Sequence, residues 1–335
     1  LKVLIYCPFF YPRVGGIEIK AQTIAQKIQD AGHQVSLLTR SLNNEPDRFS
    51  FKVMRKPNVF QIFKLFAQAH VVVLMNLSFK GLFPALLLKK NILISHENTY
   101  YNQDGTLSVK GKLKYFFTRF AHANLCCSSY VANFISKNAI ITWGPLRNDV
   151  FKKYIEDKFR ALDIVFLGRL VSDKGCDLLI RAIAIVKDKY KLHVTVSVIG
   201  EGDQLPSLQL LTNTLQLSSN IIFKGTLKGD ALVQCLNQHK LMVVPSLWPE
   251  PFGLVAIEGL ACGCRIIVSN RGGLNEAVGN YGLQFNSGDA HDLADKIYMM
   301  LNHDPINYLG LSEHLQRFQP DVVAAHFLNI IEKKN

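Results

Sequence analysis

The stretch Asp163–Ile183, DIVFLGRLVSDKGCDLLIRAI, changes character twice. DIVFLG is a short apolar run rich in strand-forming residues, and it ends on Gly168, where the chain can turn. RLVSDKG is polar and places Arg169 and Lys174 between the strand exit and the next element. CDLLIRAI then reads as the start of a helix. Strand, polar turn and helix in that order is the unit from which parallel sheets are built.

The same unit recurs in both directions along the chain. Upstream, KVLIYC (2–7), QVSLLT (34–39), VVVLMN (71–76), NILISH (91–96) and ANLCCS (123–128) read as strands. Between the first two, Ile17, Ala21, Ile24, Ala25 and Ile28 have helical spacing, closed by Gly32. Downstream, VTVSVIG (194–200), IIFKG (221–225), LMVVPS (241–246) and RIIVSN (265–270) continue the series. Near-continuous apolar strands alternating with helices predict sheets covered on both faces. Two such series predict two Rossmann-like, doubly wound α/β domains facing across a cleft. The polar segment 146–162 is the expected join. The expected limits are 1–150 for an acceptor-binding domain and 151–320 for a donor-binding domain. A C-terminal helix over 321–335 is expected to pack back on the N-terminal domain.

Length and composition agree with two packed domains. The chain has 335 residues, 48% of them apolar and 19% charged. No apolar run approaches the ~20 residues that span a bilayer, and the opening LKVLIYCPFFYP reads as a strand and not as a signal peptide. The seven cysteines match no zinc spacing and sit mostly in apolar runs, so buried thiols in a reducing cytoplasm are expected. The net charge of +12 is lopsided. Residues 1–150 carry 19 Lys/Arg and 7 Asp/Glu, and the remainder carries 19 of each. A partner with phosphate, or an anionic membrane surface, is expected on the N-terminal side. In 109–123, VKGKLKYFFTRFAHA, basic and aromatic residues interleave as on a helix lying on a membrane. No DNA- or RNA-binding motif accompanies the charge, and no nucleic-acid partner is expected.

In open parallel sheets, ligands sit beyond the carboxyl ends of the strands. The loops there hold the candidate residues. After the first strand, Gly15 and Gly16 open a helix whose amino end is an anion cradle. His96 ends the strand 91–96, which points it toward the expected cleft. Arg169 and Lys174 can hold a diphosphate leaving group. IGEGDQL (199–205) makes a tight turn at Gly200 and Gly202, but Leu205 stands where a dinucleotide fingerprint needs its third glycine. That, with no acidic residue in register for a ribose, disfavours a nicotinamide oxidoreductase.

Pro249–Gly263, PEPFGLVAIEGLACG, sets two carboxylates in an apolar run with seven residues between them. The prolines delay the helix, which is expected to begin near Gly253. The N–H groups of Phe252, Gly253, Leu254 and Val255 then form a positive helix start. Glu250 lies before that start and Glu258 more than a turn inside it. Such spacing suits two ends of one extended polar ligand better than a shared proton.

This block resembles the E-x7-E signature of retaining glycosyltransferases of the two-Rossmann (GT-B) type, the glycosyl transferases group 1 family, GT4. GRLVSDKG, GGIE, SHENTY and RGGLNEAV (271–278) resemble that family's further loops, in order along the chain. The resemblance implies that Arg169 and Lys174 neutralise a nucleotide diphosphate and that Glu258 binds ribose hydroxyls. It implies that Glu250 and the N–H groups of Phe252 to Val255 meet the donor sugar and phosphate. His96 would face the sugar, and Gly15 and Gly16 would admit phosphates or acceptor. It also implies hexosyl transfer with retention, from a nucleotide sugar to a glycan or lipid-linked acceptor, with no cofactor and no metal. Cell-surface polysaccharide or lipopolysaccharide synthesis, in the cytoplasm or on the inner membrane face, would be the setting. A nucleotide-sugar epimerase, a phosphorylase and a non-catalytic nucleotide-sugar-binding module are the alternatives.

Overall fold

The computed structural model describes residues 1–333 except 14, 103, 104 and 137. The last two residues of the expected C-terminal helix, 334 and 335, lie outside the described residues. The chain forms two compact units. One comprises 1–145 and 317–335, the other 146–316.

The first unit opens with β1 (Lys2–Tyr6), α1 (Gly16–Asp30), β2 (Gln34–Thr39) and β3 (Lys52–Arg55). It continues with α2 (Val59–Gln68), β4 (Val71–Met75), α3 (Phe79–Leu87) and β5 (Asn91–His96). It ends with α4 (Val109–Phe117), β6 (Ala123–Cys126), α5 (Ser129–Ile135) and β7 (Ile140–Ile141). The strands pair in parallel in the order β3-β2-β1-β4-β5-β6-β7. Their alternation divides the core. Val3, Ile5 and Leu93 pack under α1, whereas Leu4, Tyr6, Ile92 and Ile94 pack under α2, α3 and α4. Asn58 caps α2 in a reciprocal capping box with Gln61, and Ser108 caps α4.

The second unit runs β8 (Leu162–Leu167), α6 (Cys176–Tyr190), β9 (Val196–Ile199), α7 (Leu205–Thr214) and β10 (Ile221–Phe223). There follow α8 (Gly229–Gln238), β11 (His239–Val244), α9 (Leu254–Ala261), β12 (Arg265–Ser269) and α10 (Leu274–Val278). β13 (Gly282–Phe285), α11 (Ala290–Asn302) and α12 (Leu311–Gln316) complete it. Its parallel sheet has the order β10-β9-β8-β11-β12-β13. The polar segment before β8 is anchored to this unit. Arg160 is buried and donates from Nη1 to His239 O at 2.8 Å and from Nη2 to Cys262 O at 2.6 Å.

The last helix, α13 (Pro320–Glu332), returns to the first unit. Its Phe327 and Ile331 join the core beneath α1. All seven cysteines are buried thiols. Both units are thus doubly wound parallel sheets, as the sequence predicts. No helix among the described residues is long and apolar enough to cross a membrane.

Candidate active site

In the second unit, the loops after β8, β9, β11 and β12 meet at the carboxyl edge of the sheet. Leu170 N donates to Glu201 O, and Gln204 N donates back to Leu170 O, which joins the loops after β8 and β9. Gly200 has φ +140, and a Cβ there would stand 1.8 Å from Gly168 O. Only glycine permits that approach. The loop after β8 also meets the loop after β11: Leu247 N and Trp248 N both donate to Asp173 O. Gly273 N donates to Glu250 O at 2.6 Å, which brings in the loop after β12.

Lys174 and Glu250, 76 positions apart, are joined in this cluster. Lys174 Nζ donates to Glu250 Oε1 at 2.5 Å, and Ser246 Oγ donates to the same oxygen at 2.8 Å. Both charged side chains are largely withdrawn from solvent, at 19% and 18% exposed. The pair therefore holds each member in one position more firmly than an exposed ion pair would. Ser246 was missed in the sequence. It is buried where β11 leaves the sheet, and LMVVPS shows only a strand end. Arg169, by contrast, is exposed.

The helix start expected near Gly253 is present. Gly253 is the N-cap of α9, with φ +147. Ala256, Ile257 and Leu260 are buried, worth about 1.5–3 kcal/mol each for the two larger side chains. Gly259 lets α9 lie close on Met242 and Ile266. The amino end of α9 thus directs its first-turn amides toward the edge where Glu250 stands. Glu258 is half-buried one turn in. Burial pushes its carboxyl up to about 7, opposed by the charge of Arg147. Arg147 Nε is itself buried without a hydrogen-bond partner among the described residues.

In the first unit, Gly15 caps α1 in extended conformation and Gly16 begins the helix. His96 ends β5 on the core side of the sheet. Strand alternation places residue 96 on the same face as Ile92 and Ile94, beneath α3 and α4, where it is fully buried. Leu77 N donates to Tyr100 Oη at 2.9 Å, so the tyrosine hydroxyl donates to His96 Nδ1 at 2.7 Å. His96 Nε2 then donates to Asn124 Oδ1 at 2.9 Å. Both ring nitrogens are engaged by side chains of the core. Burial, and the charges of Lys114 and Lys20, push its pKa down to about 4.

The charged pair at this edge is one residue further on. Lys20 Nζ lies 2.9 Å from Glu97 Oε1 and donates to Thr142 O at 2.6 Å, with the lysine side chain wholly buried. Lys20 sits on the apolar stripe of α1, three residues after Ile17 and four before Ile24. That misplacement of a charge on a buried stripe was the available signal.

Against this geometry stand the comparisons with known proteins. The model of the family described as "Glycosyl transferases group 1" matches residues 151–317, which covers nearly the whole second unit. The chain belongs to the glycosyl transferases group 1 family. An uncharacterized glycosyltransferase of Methanocaldococcus jannaschii is 27% identical, over 91% of this chain and 90% of its own. The D-inositol 3-phosphate glycosyltransferase of Corynebacterium jeikeium is 34% identical over 44% of this chain and 37% of its own. Among solved structures, Anabaena HepE in complex with UDP superposes with a TM-score of 0.85 at 18% identity, over 99% of this chain and 100% of that one. This glycosyltransferase therefore has the GT-B fold.

Proposed function

We propose that this glycosyltransferase moves a hexosyl group from a nucleotide-diphosphate sugar to a glycan or lipid-linked acceptor, with retention of anomeric configuration. The observation that carries the reading is the convergence of Lys174, Ser246, Glu250 and the amino end of α9 at one edge of the second sheet. A cation and helix amides suit a diphosphate, and a fixed carboxylate suits sugar hydroxyls. HepE has been crystallised with UDP and with UDP-glucose, which supports a nucleotide-sugar donor.

In this reading the bond from the anomeric carbon to the diphosphate oxygen breaks while the acceptor oxygen bonds to the same face of that carbon. The departing diphosphate takes the acceptor's proton. Lys174 and Arg169 balance the charge that grows on the leaving group, with Phe252–Val255 amides adding to it, so no metal is required. Glu250 holds the donor sugar, Glu258 the ribose, and the loops at Gly168 and Gly202 leave room for the nucleotide. Gly15 and Gly16 open the first unit to phosphates or acceptor. A lipid-linked acceptor is supported by the yeast phosphatidylinositol N-acetylglucosaminyltransferase GPI3 subunit, 22% identical over 83% of this chain, and by the fold likeness to the lipopolysaccharide galactosyltransferase WaaB, TM-score 0.74. Residues 109–123 would meet the inner face of the cell membrane.

A thermal-shift series with nucleoside diphosphates and their sugar conjugates tests the donor. One of them should raise the melting temperature. Release of nucleoside diphosphate only when acceptor is added, and an α-to-α product by NMR, complete the test. An inverted product, or no shift with any nucleotide, overturns the reading.

A further inference from the structure

Residues 109–123 are not one amphipathic helix. α4 ends at Phe117, a short turn follows, and β6 begins at Ala123. Tyr115 and Phe117 pack inward, and Lys114 is half-buried over the Tyr100 ring. What remains outside is Phe116, 45% exposed, and Phe120, 48% exposed. They are not alone. α2 and α3 cover the same face of the sheet, and each also turns aromatic side chains to water: Phe60 is 77% exposed and Phe83 52%.

Phe83, Phe116 and Phe120 form one surface through Phe117, and α2 lies beside it. The Phe83 ring lies 5.7 Å from Phe117, and Phe117 lies 5.4 Å from Phe116 and 5.6 Å from Phe120. α2 packs beside α3. Phe66 and Leu82 fill the core, and the outer phenylalanines pack only at its edge, with about half or more of each side chain left in water. An apolar patch of this kind on a folded surface marks an interaction site. The charge around it has one sign: 59–68, 79–87 and 109–120 contain six Lys/Arg and no Asp or Glu. Lys64, Lys80, Lys110, Lys112 and Arg119 are exposed, and Arg119 lies 4.0 Å over the Phe116 ring. Exposed aromatic rings on three helices and on the turn after α4, ringed by long basic side chains, fit a lipid interface: rings enter the acyl boundary and ammonium groups reach the headgroups.

We propose that the α2–α3–α4 face docks on a bilayer containing anionic phospholipid, with Phe60, Phe83, Phe116 and Phe120 entering it. The inference rests on the reading of a membrane-borne acceptor and names the surface that brings the enzyme to it. Each exposed lysine would strengthen binding about fivefold at low salt.

Flotation of the whole protein with phosphatidylcholine vesicles, with and without phosphatidylglycerol, tests it. Binding is expected on anionic vesicles and should weaken with salt. Phe60→Ser/Phe83→Ser/Phe116→Ser should weaken it at least tenfold, with the cooperative melting transition and the nucleotide-induced shift retained. Phe83→Trp alone should show a blue shift in emission on anionic vesicles. Equal binding to neutral and anionic vesicles, wild-type binding by the triple variant, or no blue shift overturns the proposal. So does a dimer in solution that the triple variant dissociates, since the face would then be a self-interface. A nucleotide shift without vesicle binding sinks the docking alone. Vesicle binding without any nucleotide shift sinks the nucleotide-sugar reading and leaves the docking standing.

Discussion

Glu250 Oε1 accepts hydrogen bonds from both Lys174 Nζ and Ser246 Oγ, so one carboxylate oxygen ties the loop after β8 to the loop after β11. Lys174→Ala removes the cation assigned to the diphosphate and leaves Glu250 with Ser246 alone. Turnover should fall roughly 100- to 1000-fold, the range for losing one electrostatic contact to a leaving group. The nucleotide-induced thermal shift should shrink in the same variant. Glu250→Gln keeps the hydrogen bonds but not the charge, and it should lower turnover while largely preserving that shift. A wild-type shift in Lys174→Ala would remove the diphosphate role.

Gly175 follows Lys174 with φ +66, and a Cβ there would lie 2.1 Å from Pro245 O. The atom in the way is backbone, so the loop after β8 must move. Gly175→Ala should cost about 2–4 kcal/mol, combining left-handed strain with the clash. It should also separate Asp173 O from the two amides that it accepts from. Chemical denaturation of the variant gives the first value, and loss of nucleotide binding below the melting point reports the second. An unchanged midpoint would mean that the loops do not need this contact.

Strand and helix alternation was legible because buried parallel strands are apolar throughout, and DIVFLG and VVVLM need no partner to be recognised. β3, β7 and β13 were not. KVMR is charged at both ends, β7 has two residues, and GLQF opens on glycine, so none carries the run of apolar residues that marks a central strand. Lys174 and Glu250 were each legible as loop residues, but their pairing depends on β8 and β11 being neighbours, which is a property of the topology. The burial of His96 was not legible from its place at a strand end, which says nothing of the face its side chain takes, whereas counting by twos from Ile92 does. The outer phenylalanines of α2 and α3 were hidden for a related reason. In VFQIFKLFAQ, Phe66 and Phe60 look alike, and only packing tells the buried one from the bare one.

His96 stays neutral in the folded chain, with a pKa near 4 against 6.5 ordinarily. Below pH 6.5 the unfolded chain binds a proton that the folded chain refuses. Its contribution to stability is therefore full above pH 6.5 and is lost as pH falls toward 4. His96→Ala should lower the melting temperature at pH 7.5, because it opens a cavity and leaves the Tyr100 hydroxyl without its acceptor and Asn124 Oδ1 without its donor. It should also flatten the decline between pH 6.5 and 4. The nucleotide-induced shift, which depends on the second unit, should persist. A stable, fully folded His96→Ala enzyme that has lost turnover alone would instead place the imidazole at the reacting sugar.

In the proposed reaction Lys174, Arg169 and helix amides supply the charge needed at the leaving group, so a chelator should leave turnover within about twofold of its untreated value. A loss restored by a divalent cation would show that the metal carries part of that charge.

Glu258 provides the sharpest pH test. Its carboxyl titrates near 7 when folded, against 4.5 ordinarily, because burial disfavours the anion. Between those values the folded chain holds a proton that the unfolded chain has released. This group's contribution to stability therefore falls as pH rises from about 4.5 to about 7, and is level beyond. Glu258→Gln imitates the neutral acid, so its melting temperature should match the parent at pH 4.5 and exceed it by a few degrees at pH 8. Binding runs the other way. An ionised carboxylate accepts from two ribose hydroxyls at once, and those hydroxyls favour the anion. Nucleotide affinity should therefore rise with pH through 7 in the parent, with protons released on binding, which calorimetry in buffers of different ionisation enthalpy will count. In Glu258→Gln the affinity should be lower and independent of pH over the same range. A variant that kept the parent's pH-dependent affinity would move the ribose contact to another residue, and Arg147, half-buried with its charge acting on Glu258, would be the next to test.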